Sequence, residues 1–183
     1  MLLPLLGVAA LLSAAPHDTS TSISKIVTPT IRHMPVTGIK GQLLADSIVV
    51  EKQKHTMTLY EDGFPVKTYQ VALGTQPKGD KVKAGDGKTP EGIFHIDSRN
   101  PQSKYHMSLH ISYPDVAHLQ RASSLGVSAG GDVMIHGLPP KYASIGAAQA
   151  KYDWTEGCIA VTDREIEEIW HAVPNGAAIQ IKP

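Results

Sequence analysis

Apolar and polar residues alternate in short runs from Ser47 onward, the two-residue period of strands that bury one face. Residues 47–53 carry Ile48-Val49-Val50, and residues 55–60 set Met57 and Leu59 between Thr56, Thr58 and Tyr60. Glu61-Asp62-Gly63 separates that run from residues 64–73, and Asp-Gly supplies the positive φ of a tight turn, so a β-hairpin is expected. Residues 92–96 and 107–113 read as further strands. Residues 133–135 lead into a strand end at His136, stopped by Gly137 and Leu138-Pro139-Pro140, and residues 178–181 close the chain.

The helical period is clear in one place. Across residues 163–172, Ile166, Ile169, Trp170 and Val173 share a face. Thr162 and Glu165 form a capping box, acidic residues lie in the first turn, and Pro174-Asn175-Gly176 ends the run. Residues 143–150 suggest one or two additional helical turns. The fold class that follows is mainly β (α+β): a rolled sheet or sandwich with one or two short helices.

The N-terminal part follows a different pattern. Residues 1–16 are apolar apart from Ser13 and too short to span a bilayer, which reads as a signal peptide or short apolar leader. No Lys or Arg precedes the run and Pro16 follows its small residues, so an uncleaved anchor stays open. Residues 17–46 are rich in Ser, Thr and Pro and read as an arm or linker, with Leu43 and Leu44 tucked against the domain. One domain over residues 47–183 accounts for the rest. The 17 basic and 17 acidic residues balance, which leaves no electrostatic footprint for nucleic acid.

Candidate chemistry centres on residues 134–161, which contain the only cysteine, Cys158. A thiol needs a base to become a nucleophile, and an imidazole at a rigid strand end, His136, is suited to that task. Gly157 allows a sharp turn or close substrate approach, and peptide N–H groups there are candidates for an oxyanion hole. Thr155, Asp153 or a loop carbonyl would orient the imidazole. An unpaired cysteine in an exported chain fits a free reactive thiol better than a disulfide.

His136-Gly137 followed by Thr155-x-Gly157-Cys158 resembles the signature of the L,D-transpeptidase catalytic domain, the YkuD type. The run from Asp153 to Thr162 looks most like its YafK-like branch. Glu156 stands where His is common, and Ala160 where many members carry Arg or Asn. The resemblance covers roughly residues 47–183. It implies a cysteine acyltransferase with Cys158 as nucleophile, His136 as base, and Gly157, Gly137 and Thr155 as oxyanion or support residues. It also implies peptidoglycan stem peptides as substrates, action in the periplasm or cell envelope, no cofactor or metal, and a monomer. A hydrolase of the same fold that cuts stem peptides or peptidoglycan–protein links is the alternative, with a non-catalytic wall-binding module behind it.

Substrate-binding candidates follow from the same comparison. Arg99 is expected either to clamp a carboxylate in place of the missing Arg or to form a surface ion pair. Lys81 and Lys88, in the Gly-rich stretch 74–92, either meet substrate carboxylates or belong to a plain loop. That stretch lacks P-loop spacing, and its Thr89-Pro90-x-Gly92 step resembles a family turn beneath the substrate groove. Tyr105 and His106 precede a strand near the cleft. Trp154 and Tyr152 wall the thiol or belong to the core. His106 and His110 share a strand face, but zinc would need more ligands.

Overall fold

A computed structural model describes residues 43–183; the expected leader and all but the end of the expected arm lie outside the described residues. The strands are β1 (Ser47–Glu51), β2 (Thr56–Glu61), β3 (Phe64–Gln70), β4 (Gly92–Ser103), β5 (His106–Ile111), β6 (Met134–His136), β7 (Ile159–Ala160) and β8 (Ala178–Lys182). Helix α1 is Val116–Ser124 and α2 is Asp163–Ala172, while Lys52–Lys54 and Pro140–Lys151 form 3-10 turns. Gly146, at φ 48° and ψ −134°, breaks the second of these.

One eight-stranded sheet has the order β3-β2-β1-β8-β4-β5-β6-β7. β8 runs parallel to β1 and antiparallel to β4. Beyond β3, Ala72 exchanges two backbone hydrogen bonds with Ala160 of β7, at 3.0 and 2.8 Å. The two ends of the sheet thus meet, and the sheet curls around its apolar face. Ile48, Val50, Met57, Leu59, Phe94, Ile96, Leu109, Ile111, Ile135 and Ile159 fill the inside, with Ile166 and Ile169 of α2 closing it.

Local chemistry explains most of these elements. Asp62 and Gly63 have φ of 51° and 79°, the left-handed pair that a tight hairpin needs. The Thr162–Glu165 capping box is present in full at the start of α2. Two elements depart from expectation. β4 does not stop at Ile96 but continues through a bulge to Ser103, so the polar run Asp97 to Ser103 pairs with β5 as an arm reaching past the core. Helix α1 was not anticipated, because it buries only His118 and Ala122 and leaves Val116 and Leu119 exposed. Its apolar stripe faces the wrong way for a pattern-based reading, although Asp115 caps its start by accepting from the His118 N–H at 2.9 Å.

The long loop between β3 and β4 is pinned by a buried lysine. Lys52 Nζ donates to Gly79 O at 2.7 Å and Thr89 O at 2.9 Å, and pairs with Glu91 Oε1 at 2.8 Å. All three ammonium donors are satisfied, as an interior cation requires. Lys52→Ala is expected to strip the loop of this anchor and strand its acceptors, lowering unfolding free energy by about 3 kcal/mol; urea denaturation measures it.

Candidate active site

Strands β6 and β7 run parallel with Ile135 opposite Ile159 and His136 opposite Ala160. Alternation puts Ile135 and Ile159 into the core and turns His136 to the other face, where Cys158, one residue ahead of β7, also lies. The Cys158 thiol is partly exposed and donates to Asp132 O at 3.5 Å. The strand end therefore sets the two chemical groups on one face of the sheet from positions 22 residues apart in sequence.

His136 is 2 % exposed. Its Nδ1 lies 2.7 Å from Gly137 O. A carbonyl only accepts, so Nδ1 carries the proton and Nε2 is left as a lone-pair base. Of the three orienting groups the sequence offers, the loop carbonyl holds the ring; Asp153 instead accepts from Leu73 N at 2.8 Å and pairs with His55 at 2.9 Å. Tyr105 stacks on the imidazole with centroids 4.4 Å apart, and Trp154 meets it edge-on at 5.7 Å. Burial in this aromatic box pushes the His136 pKa down to about 4, against the Gly137 hydrogen bond and with help from the Lys104 charge.

Burial likewise pushes the Cys158 thiol up, partly offset by a hydrogen bond from the Met134 backbone and by the charges of Lys81 and Lys104. The resting pair is thiol and neutral imidazole, not an ion pair.

The turn before the thiol is built on Thr155. Its Oγ1 accepts from Gly157 N at 3.1 Å and donates to Cys158 O at 2.8 Å. The Gly157 N–H is thereby taken up by the Thr155 hydroxyl, away from the oxyanion role expected of it. Gly157 is needed for shape: its φ is 132°, and a Cβ there would come 2.5 Å from Lys88 O. Gly137 has a parallel role, because a Cβ would lie 2.7 Å from Asp163 Oδ1, 2.9 Å from Ile166 Cγ2 and 3.0 Å from Tyr105 O.

Beneath the turn lies the Gly-rich loop, with Lys88 O against Gly157. Thr89 is fully buried and accepts from Gly74 N at 3.0 Å. Lys81, 4 % exposed, pairs with Asp86 at 2.8 Å. Asp86 also accepts from the N–H groups of Val82, Lys83 and Lys88, which together hold its carboxyl down at about 2 despite burial. Lys81 thus supports the thiol from below, with its charge already matched.

The other cations expected to meet substrate lie elsewhere. Lys88 Nζ donates to Lys78 O. Arg99 sits opposite Leu109, which sits opposite Ile135, so it belongs to the face away from His136. Its guanidinium lies 4.9 Å over the Trp170 ring on α2, in a groove with Leu44 and Asp46. A carboxylate clamp at the thiol is not within that geometry, and among the described residues Arg99 forms no ion pair either. His106 pairs with Glu167 at 2.7 Å and His110 with Asp97 at 2.7 Å, two separate carboxylates. Trp154 donates to Gln149 Oε1 at 3.1 Å and, with Leu138, Tyr142, Ile145 and Tyr152, lines an apolar groove of about 450 Å³ beside His136. Tyr152 is 76 % exposed and belongs to that wall, not to the core.

The curled β-sheet thus presents Cys158 and the carbonyl-oriented His136 on one face, at the β6–β7 edge. The family model for the L,D-transpeptidase catalytic domain, YkuD, matches residues 45–181, and the chain belongs to that family. YafK of Escherichia coli (strain K12), which is named for L,D-transpeptidase activity, is 26 % identical over 191 aligned positions; these span all of this chain and 64 % of YafK. Among solved structures, the helical cell shape determining protein Pgp2 from Campylobacter jejuni superposes with a TM-score of 0.57 at 23 % identity, over 80 % of this chain and 53 % of Pgp2. Bd1075 of Bdellovibrio bacteriovorus gives 0.54 at 20 %, over 75 % and 48 %. These likenesses are likenesses of fold. The chain spans less than two thirds of each of these relatives.

Two expectations follow from the site. Unfolded His136 protonates near pH 6.5 while the folded ring resists until about pH 4. Its contribution is therefore whole above pH 6.5 and is lost as pH falls toward 4, by about 3 kcal/mol. His136→Asn should flatten the fall in melting temperature across that window. Gly157→Ala should cut activity by about a hundredfold or more, since the turn and the thiol must shift together; rates on peptidoglycan, with circular dichroism to check the fold, measure it.

Proposed function

We propose that this chain is a peptidoglycan L,D-transpeptidase of the cell envelope that works by cysteine acyl transfer. His136 Nε2 takes the Cys158 proton as the sulfur attacks the carbonyl that follows an L-configured centre of a stem peptide. The oxyanion that forms finds the Cys158 N–H, a donor of the kind worth about 3 kcal/mol to a transition state. Collapse breaks the C–N bond, the leaving amine takes the proton from His136, and a thioester remains on Cys158. An acceptor amine, such as the side-chain amine of a diaminopimelate residue, then gives its proton to His136 and attacks the thioester, which regenerates the thiol. The products are cross-links of 3-3 or 1-3 type.

The observation that carries this reading is the fixed tautomer of His136. A base with one nitrogen tied to a carbonyl and the other left free, in a buried box that keeps it neutral, is prepared to accept one proton and return it. Family membership supports the same chemistry. The reading needs no resident metal or organic cofactor, because thiol and imidazole supply every proton and electron-pair movement in the cycle.

Purified peptidoglycan incubated with the wild-type protein and with Cys158→Ala, its muropeptides then resolved by mass, tests the proposal. New dimers made only by the wild type are expected. Loss of dimers or of attached protein without new cross-links would make the enzyme a hydrolase, and identical profiles would overturn catalysis on this substrate.

A further inference from the structure

A transpeptidase donor carries a free carboxylate one carbon from the amine that leaves, and recognition of that anion needs a cation near His136. The sequence offered Lys81, Lys88 and Arg99. Lys81 is matched by Asp86 under the turn, Lys88 is folded back on Lys78 O, and Arg99 lies on the opposite sheet face against Trp170. Ala160 stands where many family members carry Arg or Asn, and it is fully buried.

One further cation stands at the site. β4 and β5 join at a tip where Ser103 is opposite His106 and Lys104-Tyr105 form the turn. Tyr105 is the residue stacked on the His136 imidazole, and Lys104 Nζ lies 5.3 Å from the centroid of the same Tyr105 ring. The tip is fixed in place: Tyr105 N donates to Ser103 Oγ at 3.1 Å, and Met107 N donates to Tyr105 O at 2.9 Å. Lys104 is exposed, and among the described residues it forms no ion pair. Its charge is felt by both His136 and Cys158.

Resting on the transpeptidase reading, we propose that Lys104 binds the free carboxylate of the leaving D-amino acid and so selects donors with an unblocked C-terminus. The geometry of the reaction requires this side. The leaving amine must reach His136 Nε2 to receive its proton, so the leaving residue lies against the imidazole, and its carboxylate is only two bonds from that nitrogen. A lysine on the rim of the box that holds the imidazole is positioned to meet it. The bond that breaks is the amide C–N, the bond that forms is the Cys158 thioester, and Lys104 stays protonated throughout as a point charge.

Two synthetic stem tetrapeptides test this: one ending in D-alanine, the other in D-alaninamide, which keeps the shape and removes the charge. Release of the terminal residue is followed by mass for the wild type, Lys104→Ala and Lys104→Arg. The wild type should favour the free acid by about tenfold in kcat/KM, carried mainly by KM. Lys104→Ala should lose that preference, its kcat/KM on the free acid falling about tenfold relative to the amide, and Lys104→Arg should restore it. Equal loss on both peptides, or a wild type indifferent to amidation, overturns the assignment to Lys104 and leaves the transpeptidase reading intact. Turnover of neither peptide by the wild type overturns both.

Discussion

The two hydrogen bonds between Ala72 and Ala160 join the ends of the sheet, and the site depends on that closure. Ala160 follows Cys158 by two residues, so whatever holds Ala160 sets the height of the thiol. The continuation of the same chain past Ala72 brings Leu73, Gly74 and Thr75 along the catalytic turn, where Thr155 N donates to Leu73 O at 3.1 Å and Thr75 N to Thr155 O at 2.9 Å. The Gly-rich loop can then pack directly under Gly157. Without closure, a two-residue strand such as β7 would have one neighbour and little to fix its register. The Gln149 side chain adds a further tie, donating to Ala160 O at 3.2 Å while its carbonyl oxygen accepts from Trp154.

The same packing sets the protonation states. Burial opposes charge on both members of the pair, which raises the thiol and lowers the imidazole. In the proposed reaction such a pair would store little thiolate at rest and generate it only as the proton moves to Nε2. The aromatic box contributes twice: it excludes water from the imidazole, and it holds the ring in one plane so that the single free nitrogen keeps its aim. In the proposed reaction, selectivity for an amine over water at the thioester stage would depend on the same exclusion.

Much of this was legible in sequence, for identifiable reasons. The strands with a two-residue apolar period, the Asp62-Gly63 hairpin and the capped helix α2 are local patterns, and local chemistry decided them. Cys158 and His136 stood out through the motif that contains them, and the parallel β6–β7 register puts them on one face of the sheet. What sequence could not supply was set by tertiary neighbours. The orienting group of His136 is a backbone carbonyl, which has no residue signature. The Gly157 N–H looked like an oxyanion donor until the Thr155 hydroxyl was seen to occupy it. Helix α1 hid because a histidine held between Asp115 and Asp80, at 2.6 and 3.3 Å, fills the place of an apolar anchor.

The cations illustrate how little separates a binding residue from a structural one. Arg99 and Lys104 stand five positions apart on one hairpin, and both follow polar residues that look alike in sequence. The register Arg99–Leu109–Ile135 commits Arg99 to the helix side, where Trp170 covers it and desolvation already weighs on its charge. The bulge between Asn100 and Ser103 then breaks the alternation. Beyond it the chain is free of the pleat, and the turn can lay Tyr105 on His136 with Lys104 beside it. A bulge that re-aims side chains at the end of a strand next to an active site is a recurrent device of β-proteins. Here it determines which of two basic residues shares the face of the thiol, and it does so through backbone geometry that no count of charges along the chain records.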